Sequence, residues 1–111
     1  RIKDMIVSGG ENIYPAEIES VLFGHPDIAD IAVIGVPDER WGEAVKALVV
    51  PMQNATPDAD SILRYARERL AGYKIPKSIE FLSEMPRNPS GKILKRKLRE
   101  RYWQGRDRRV N

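Results

Sequence analysis

Apolar residues in this chain fall into short runs rich in Val and Ile, separated by polar segments. Residues 28–36 (IADIAVIGV) and 44–50 (AVKALVV) have the length and the β-branched content of buried strands. Residues 78–82 (SIEFL) predict a further strand. The segment PDERWG, residues 37–42, is polar apart from Trp41, and is predicted to be the loop that joins the first two strands.

Two shorter apolar runs near the start of the chain predict a β-hairpin. MIVS at residues 5–8 and NIY at residues 12–14 flank Gly9-Gly10-Glu11. A glycine pair between apolar runs is typical of a tight turn between two strands. The pair has a second interpretation, because only glycine lets a ligand approach the backbone so closely. The residues themselves leave both interpretations open.

Apolar residues that recur three or four positions apart predict three helices. The helices are expected to begin at Pro15, at Thr56-Pro57-Asp58 and near Lys92. Their apolar stripes are Ile18, Val21 and Leu22; Ile62, Leu63, Ala66 and Leu70; and Leu94, Leu98 and Tyr102. A glycine is expected to end each helix: Gly24, Gly72 and Gly105.

The order of these elements predicts an α+β fold: a small three-stranded sheet covered by helices, with a leading β-hairpin. With 111 residues, 41% of them hydrophobic and 32% charged, residues 1–111 suit one globular domain. The chain begins at Arg1 without an initiator methionine and close to a strand. We therefore expect it to be a piece of a longer protein.

Composition excludes several kinds of site. The chain has no cysteine, which rules out disulfides, zinc–thiolate centres and thiol nucleophiles. The one histidine, His25, lies between a glycine and a proline, and is predicted to be structural rather than a metal ligand. No apolar run approaches the roughly 18 residues of a membrane helix, and no signal-peptide pattern is present. A cytoplasmic location is expected.

Positive charge is concentrated at the end of the chain. The net charge is +3, but residues 92–111 contain nine Lys and Arg against two acids, a local charge of +7 that leaves −4 for residues 1–91. Such a segment attracts phosphate in any form. One interpretation is therefore a basic module, residues 92–109, that binds nucleic acid or an anionic surface.

Lys92 follows a segment with the composition of a rigid turn. Asn88-Pro89-Ser90-Gly91 fits a type I turn, with Asn first, Pro second and Gly fourth. The Walker A phosphate loop is excluded, because it requires glycine where Pro86 stands and Ser or Thr where Ile93 stands. Lys92 is then either a cation presented to a phosphate or the first residue of a solvated helix.

Two aromatic positions have similar pairs of interpretations. Trp41, in the polar loop, either covers an edge of the core or offers a stacking platform for a ring system. In YKIPK, either Tyr73 packs on a sheet edge with Lys74 and Lys77 in water, or the aromatic ring and the two lysines form a base-stacking and phosphate-binding surface.

Taken together, four motifs in order resemble a known family. RIKDMIVSGGENIYPAEIE, VIGVPDERWGE, YKIPKSIEF and PRNPSGKILKRKLR are similar to the carboxyl-terminal domain of the acyl-adenylate-forming enzymes. That family includes acyl-CoA synthetases, luciferases and peptide-synthetase adenylation domains. The resemblance covers residues 1–103. The motif SGGENIYPAEIE resembles that of acyl- and aryl-CoA ligases, and the carboxyl-terminal segment YWQGRDR resembles that of fatty-acid-CoA ligases.

The resemblance implies a two-step reaction. A carboxylate attacks the α-phosphate of Mg·ATP to give an acyl-adenylate and pyrophosphate, and the thiol of CoA then displaces AMP. In the family the small domain turns on a hinge between the two steps and presents a different face for each. The large amino-terminal domain, which would bind ATP, Mg²⁺ and the fatty or related acid, is absent here, so the isolated chain is expected to be inactive.

Roles for individual residues follow from the same matches. Lys92 would be the adenylation lysine, whose charge bridges the carboxylate and the α-phosphate. Its P-x-x-x-x-G-K context resembles that of acetylated ligase lysines, which adds a lysine acetyltransferase to the expected partners. The remaining matches are Arg1 near the nucleotide, Lys3 at the hinge, Ser8, Gly9 and Gly10 in the hairpin beside pantetheine, and Trp41, Tyr73 and Lys77 against the CoA nucleotide.

Overall fold

A computed structural model of the chain describes residues 4–104. The roles expected for Arg1 and Lys3, the helix end at Gly105 and the basic residues at 106–109 lie outside the described residues. The described part contains five strands: β1 (Ile6–Ser8), β2 (Glu11–Ile13), β3 (Ile28–Asp38), β4 (Gly42–Pro51) and β5 (Ser78–Phe81). It also contains the helices α1 (Pro15–Leu22), α2 (Ala59–Arg67) and α3 (Lys95–Trp103), with a 3₁₀ turn at Gly72–Lys74.

The strands form one mixed sheet around β4. Strand β3 pairs antiparallel with β4 over the length of both, from Ile28↔Pro51 to Asp38↔Gly42. The other edge of β4 is shared: β1 joins it at Ser8↔Gly42, and β5 runs parallel to it further along. The predicted three-stranded sheet is thus β3–β4–β5, and the leading hairpin extends it to five strands. The α+β prediction is confirmed.

Both faces of the sheet are covered, because side chains alternate along β3 and β4. Ile31 and Val33 point to one face, where they pack with Ile18 of α1 and Ile62 of α2. The alternate positions, such as Ile34, point to the other face, where Leu98 of α3 closes a second cluster. The near-continuous apolar runs noted in the sequence are explained by this burial on two sides.

Three boundaries differ from the predictions. The polar loop after β3 is shorter than expected, because the β3–β4 ladder extends to Asp38 and Gly42. Helix α2 begins after Asp58, whose carboxylate accepts the Ser61 N–H at 2.8 Å, and it ends at Arg67 rather than at Gly72. Helix α3 begins three residues later than predicted, since the backbone before it forms a turn.

Candidate functional site

A surface cavity of about 400 Å³ lies beside the tip of the β1–β2 hairpin. Its lining residues come from the hairpin, from the connection between β3 and β4, and from the segment that leads into β5. Five of them were singled out in the sequence, and two were not: Ser8, Gly9, Trp41, Tyr73 and Lys77, with Glu11 and Gly72 in addition. Gly10 is exposed at the adjacent tip of the hairpin but does not line the cavity.

Backbone hydrogen bonds hold the walls of the cavity together. The Gly9 N–H donates to the carbonyl of Trp41 at 2.9 Å, next to the point where Ser8 pairs with Gly42. On the opposite wall, the 3₁₀ turn carries Tyr73, and the Lys77 N–H donates to the Val45 carbonyl at 2.8 Å. Segments more than 30 residues apart in sequence are therefore fixed around one space.

Two lysines near the cavity differ in whether they form an ion pair. Lys77 places its ammonium 5.4 Å from the centre of the Trp41 ring, on the cavity wall. Its neighbour Lys74 instead ion-pairs with Glu17 at 2.9 Å, and this hydrogen-bonded partner raises the pKa of Lys74. Of these two lysines Lys77 is the one that lines the cavity, and Glu11 is the one acidic residue of the lining.

The turn before Lys92 forms as predicted and is reinforced by a side chain. The Gly91 N–H donates to the Asn88 carbonyl, and the Asn88 N–H donates to the Lys92 carbonyl, both at 2.9 Å. The Asn88 side-chain oxygen also accepts the N–H groups of Ser90 and Lys92. Gly91 has φ +91°, the left-handed conformation that closes three-residue hairpin loops.

The same turn is anchored to the sheet and leaves its lysine exposed. Arg87 ion-pairs with Asp30 of β3 and donates to the Gly91 carbonyl. The Leu94 N–H donates to the carbonyl of Pro86 at 2.9 Å, so the backbone is hydrogen-bonded within the turn up to the residue before α3. Within the part of the chain that the structure describes, no carboxylate pairs with Lys92, which is exposed. The side chain of Lys92 is therefore exposed to solvent, while its backbone is fixed by hydrogen bonds.

The two candidate sites lie at opposite ends of β3. The Lys92 turn contacts the strand at Asp30, whereas the cavity lies beyond Asp38, next to Trp41. Eight residues of extended chain separate the two aspartates, which corresponds to about 26 Å. No single bound ligand of ordinary size contacts both sites.

Much of the positive charge on α3 is neutralised within the domain. Lys95 pairs with Asp4 and with Glu19, and Arg99 pairs with Asp4. Arg101 pairs with Glu80, which also accepts the Tyr102 hydroxyl. These pairs leave a smaller basic surface than the sequence count suggests, and the nucleic-acid interpretation of residues 92–109 is not favoured.

His25 is structural, as predicted. It is buried, and its ring packs edge-on against Tyr65, with the ring centres 5.1 Å apart. Nδ1 accepts the Asp27 N–H at 3.1 Å, so the proton of the neutral ring is on Nε2, which donates to Ser61 Oγ at 3.0 Å. A histidine that donates to a serine cannot take its proton, and the pair is therefore not a nucleophilic dyad.

Three residues of these sites were not identified in the sequence. Glu11 was counted only as part of a turn, and Gly72 was interpreted as a helix end. Arg87 was not singled out at all, because its partner Asp30 is 57 residues away and nothing local marks the pair.

No helix in residues 4–104 is long and apolar enough to cross a membrane, and no group of His, Asp and Glu there is arranged to hold a metal ion.

The chain belongs to the family described as the AMP-binding enzyme C-terminal domain, which matches residues 17–92. It is 58% identical over 102 residues to a feruloyl-CoA synthase of Amycolatopsis sp., covering 92% of this chain and 21% of that protein. It is 57% identical to the long-chain-fatty-acid–CoA ligase FadD13 of Mycobacterium tuberculosis, with coverage of 92% and 20%. Over its full length it is 51% identical to the fatty acid–[acyl-carrier-protein] ligase ScoC of Streptomyces coeruleorubidus, 21% of which is covered.

Solved structures give the same result for the fold. The chain superposes on a fatty acyl CoA synthetase of Mycobacterium tuberculosis with a TM-score of 0.85 and 57% identity, covering 92% of this chain and 20% of that one. It matches ATP-bound MatB from Rhodopseudomonas palustris with a TM-score of 0.88 and 41% identity, covering 96% and 21%. The chain thus spans about a fifth of the length of the relatives it matches.

Proposed function

We propose that the chain is the mobile carboxyl-terminal domain of an ATP-dependent, AMP-forming ligase that joins a carboxylic acid to CoA. The observation that carries this proposal is the presence of two separated surfaces on one small domain: the turn that presents Lys92 and the cavity beside Trp41. The reaction has two chemical steps, and a rotation about Lys3 brings one surface into use at each step.

In the first step, Lys92 supplies a positive charge. An oxygen of the acid attacks the α-phosphorus of ATP, and the bond to the bridging oxygen of pyrophosphate breaks. Negative charge increases around the five-coordinate phosphorus, and the ammonium of Lys92 stabilises it while also contacting the carboxylate. The anchored turn fixes the backbone of Lys92 in advance, so little ordering is required when the substrates bind. Arg1 is assigned a place near the nucleotide.

In the second step, the domain presents the hairpin and the cavity. The CoA thiol attacks the acyl carbon, the bond from that carbon to the AMP oxygen breaks, and the thiol proton is lost. Ser8, Gly9 and Gly10 line the path of pantetheine, where the glycines leave room along the backbone. Lys77 would meet a phosphate of CoA, and Tyr73 and Trp41 supply aromatic surface for its adenine.

The remaining parts of the reaction are assigned to the large domain outside this chain. That domain binds ATP and Mg²⁺, and it selects the acid. The relatives named above support a fatty acid or an aryl-substituted acid as the substrate class. The location that we propose for the enzyme is the cytoplasm.

CoA is the preferred thiol, although ScoC is named for an acyl-carrier-protein acceptor. The observation that favours CoA is the cavity itself, because it combines aromatic rings with the cation of Lys77 in the manner of a nucleotide site. Thioester formation by the full-length protein with CoA and with a phosphopantetheinylated carrier protein, at equal concentrations, decides between the two acceptors.

The experiment that tests the proposal separates the two steps in the full-length protein. Lys92→Ala is expected to reduce pyrophosphate release from acid and Mg·ATP by about 100-fold or more, since a transition-state charge contact is lost. Thioester formation from supplied acyl-adenylate should be largely retained. Lys97→Ala, which removes an exposed lysine of α3, is the matched control. Equal loss of both steps in Lys92→Ala would contradict the assigned role, and so would pyrophosphate release by the isolated chain.

A further inference from the structure

The tip of the β1–β2 hairpin is packed against the indole of Trp41. Gly9 and Gly10 both have positive φ angles, +59° and +84°. A Cβ atom added to Gly9 would lie 2.7 Å from Cε3 of Trp41, closer than real Cβ atoms approach, and 3.1 Å from Cζ3. A Cβ atom added to Gly10 would meet nothing within 4 Å. Both glycines have positive φ angles, but of the two only Gly9 is covered by a side chain.

Trp41 is itself held in place by several groups. The backbone N–H of Trp41 donates to the Asp38 carboxylate at 2.9 Å, and its backbone carbonyl accepts the Gly9 N–H at 2.9 Å. The Arg40 guanidinium lies 4.8 Å from the centre of the ring, and the Lys77 ammonium lies 5.4 Å from it. The residue as a whole is 37% exposed, so part of its surface stays open to solvent. One part of the ring packs against the hairpin, and the exposed remainder lines the cavity.

We propose that Trp41 is a positioning residue for the hairpin tip. The indole sets the position of Gly9-Gly10, and position 9 requires glycine because the indole occupies the space of a side chain. This inference rests on the proposed function, in which the hairpin guides pantetheine during thioester formation. It changes the reason for the first glycine: Gly9 makes room for Trp41, whereas Gly10 faces open space and remains available to a ligand.

The proposal predicts that the effects of changes at residues 9 and 41 depend on each other. Ala at either glycine must adopt a positive φ angle, so both Gly9→Ala and Gly10→Ala carry backbone strain. Gly9→Ala must in addition displace the indole. If the indole has already been removed, the added methyl group displaces nothing, and the two changes should not multiply.

Kinetics of thioester formation from supplied acyl-adenylate, measured on the full-length protein, test this dependence. Gly9→Ala alone should lower kcat about tenfold, whereas adding Gly9→Ala to Trp41→Ala should cost less than about threefold further. Trp41→Phe, which keeps a ring against Gly9, should retain most of the kcat that Trp41→Ala loses. Multiplicative losses from Gly9→Ala and Trp41→Ala would overturn the proposal.

A second readout does not depend on activity. In full-length protein labelled with 5-fluorotryptophan, the Trp41 resonance is identified by its loss in Trp41→Phe. Gly9→Ala should shift this ¹⁹F resonance, and Gly10→Ala should leave it within its linewidth. Identical shifts in both variants would refute the packing argument. A selective Gly9→Ala shift in a protein that forms no thioester would instead refute the proposed function and leave the packing relationship standing.

Discussion

Arg87 joins the Lys92 turn to the sheet by contacting Asp30 of β3 and the carbonyl of Gly91 with the same guanidinium. The planar fork of arginine suits this bridging role, because its nitrogens point to two acceptors at once. The side chain of Asp30 is 25% exposed, so the pair is shielded from solvent on one side. The position of Lys92 therefore depends on a contact that is remote in sequence.

Replacing Arg87 should weaken the first chemical step without removing the lysine. Arg87→Ala in the full-length protein is expected to slow acyl-adenylate formation about tenfold, because Lys92 is less well placed. Arg87→Lys should fall between Arg87→Ala and the unchanged protein, since it keeps the charge but not the fork. Pyrophosphate release measures the effect, and Arg67→Ala, an exposed arginine of α2, is the control. A rate unchanged in Arg87→Ala would show that the bridge does not position the turn.

A second prediction concerns Asp4, the first residue that the structure describes. Its carboxylate pairs with Lys95 and with Arg99, the latter at 2.7 Å, which ties the start of the domain to α3. Asp4→Asn keeps the shape but removes the charge. Because the proposed hinge precedes Asp4 directly, both half-reactions should slow by a similar factor in the full-length protein. Asp60→Asn, an exposed position on α2, is the control, and loss of only one half-reaction would contradict the idea.

A third prediction concerns stability at alkaline pH. Burial, and the hydrogen bond to Glu80, raise the pKa of Tyr102 to about 12 from its ordinary value of 10.0. A raised pKa means that the phenol stabilises the fold fully below about pH 10 and loses this contribution as the pH rises through 12. Tyr102→Phe should therefore lower the denaturation midpoint at pH 8, and the difference from the unchanged chain should shrink between pH 10 and 12.

The acidic partner of Tyr102 behaves in the opposite sense. The hydrogen bond from Tyr102, together with Arg101 and Lys46, lowers the pKa of Glu80 from 4.5. The stabilisation from Glu80 is present above that pH and disappears as the pH falls through the lowered pKa. Denaturation of Glu80→Gln across pH 2–8 should show a lower stability than the unchanged chain near neutral pH and no difference at the acidic end.

The control for the alkaline experiment on Tyr102 is Tyr73→Phe, which changes an exposed tyrosine. If Tyr73→Phe showed the same dependence on pH as Tyr102→Phe, the assignment to Tyr102 would be contradicted.

A fifth prediction concerns acetylation of Lys92. The side chain is exposed on a fixed turn, so a modifying enzyme can reach it. Acetylation removes the positive charge, and it should abolish acyl-adenylate formation while sparing thioester formation from supplied acyl-adenylate. Mass spectrometry after treatment with a lysine acetyltransferase and acetyl-CoA measures the modification. Modification of Lys97 with none at Lys92 would argue against a regulatory site.

Local patterns predicted the elements of the fold because each follows from nearby residues. The Val- and Ile-rich runs gave β3 and β4, and Asn88 with Gly91 gave the turn before Lys92. The start of α3 was placed too early, because its stripe of Leu94, Leu98 and Tyr102 does not reveal that the backbone before Lys95 is hydrogen-bonded to Pro86 and Asn88.

The environment of the candidate site was less predictable than its members. The motifs indicated Trp41 and Gly9 separately, but their contact depends on the register that pairs Ser8 with Gly42. In the same way, the bridge from Arg87 to Asp30 depends on how the segment after β5 returns across the sheet. Contacts of this kind are set by tertiary packing, and no short stretch of sequence encodes them.

The length of the β3–β4 pair has a consequence for the order of events. The pair spans about 26 Å between Asp30 and Asp38. The Lys92 turn lies at one end of it, and the cavity beside Trp41 lies at the other. Under the proposed function, rotation of the domain brings one end of this pair into the catalytic centre and moves the other end away. Lys92 and the hairpin that guides the CoA thiol therefore cannot occupy the catalytic centre at the same time. CoA is excluded from it until the adenylate has formed.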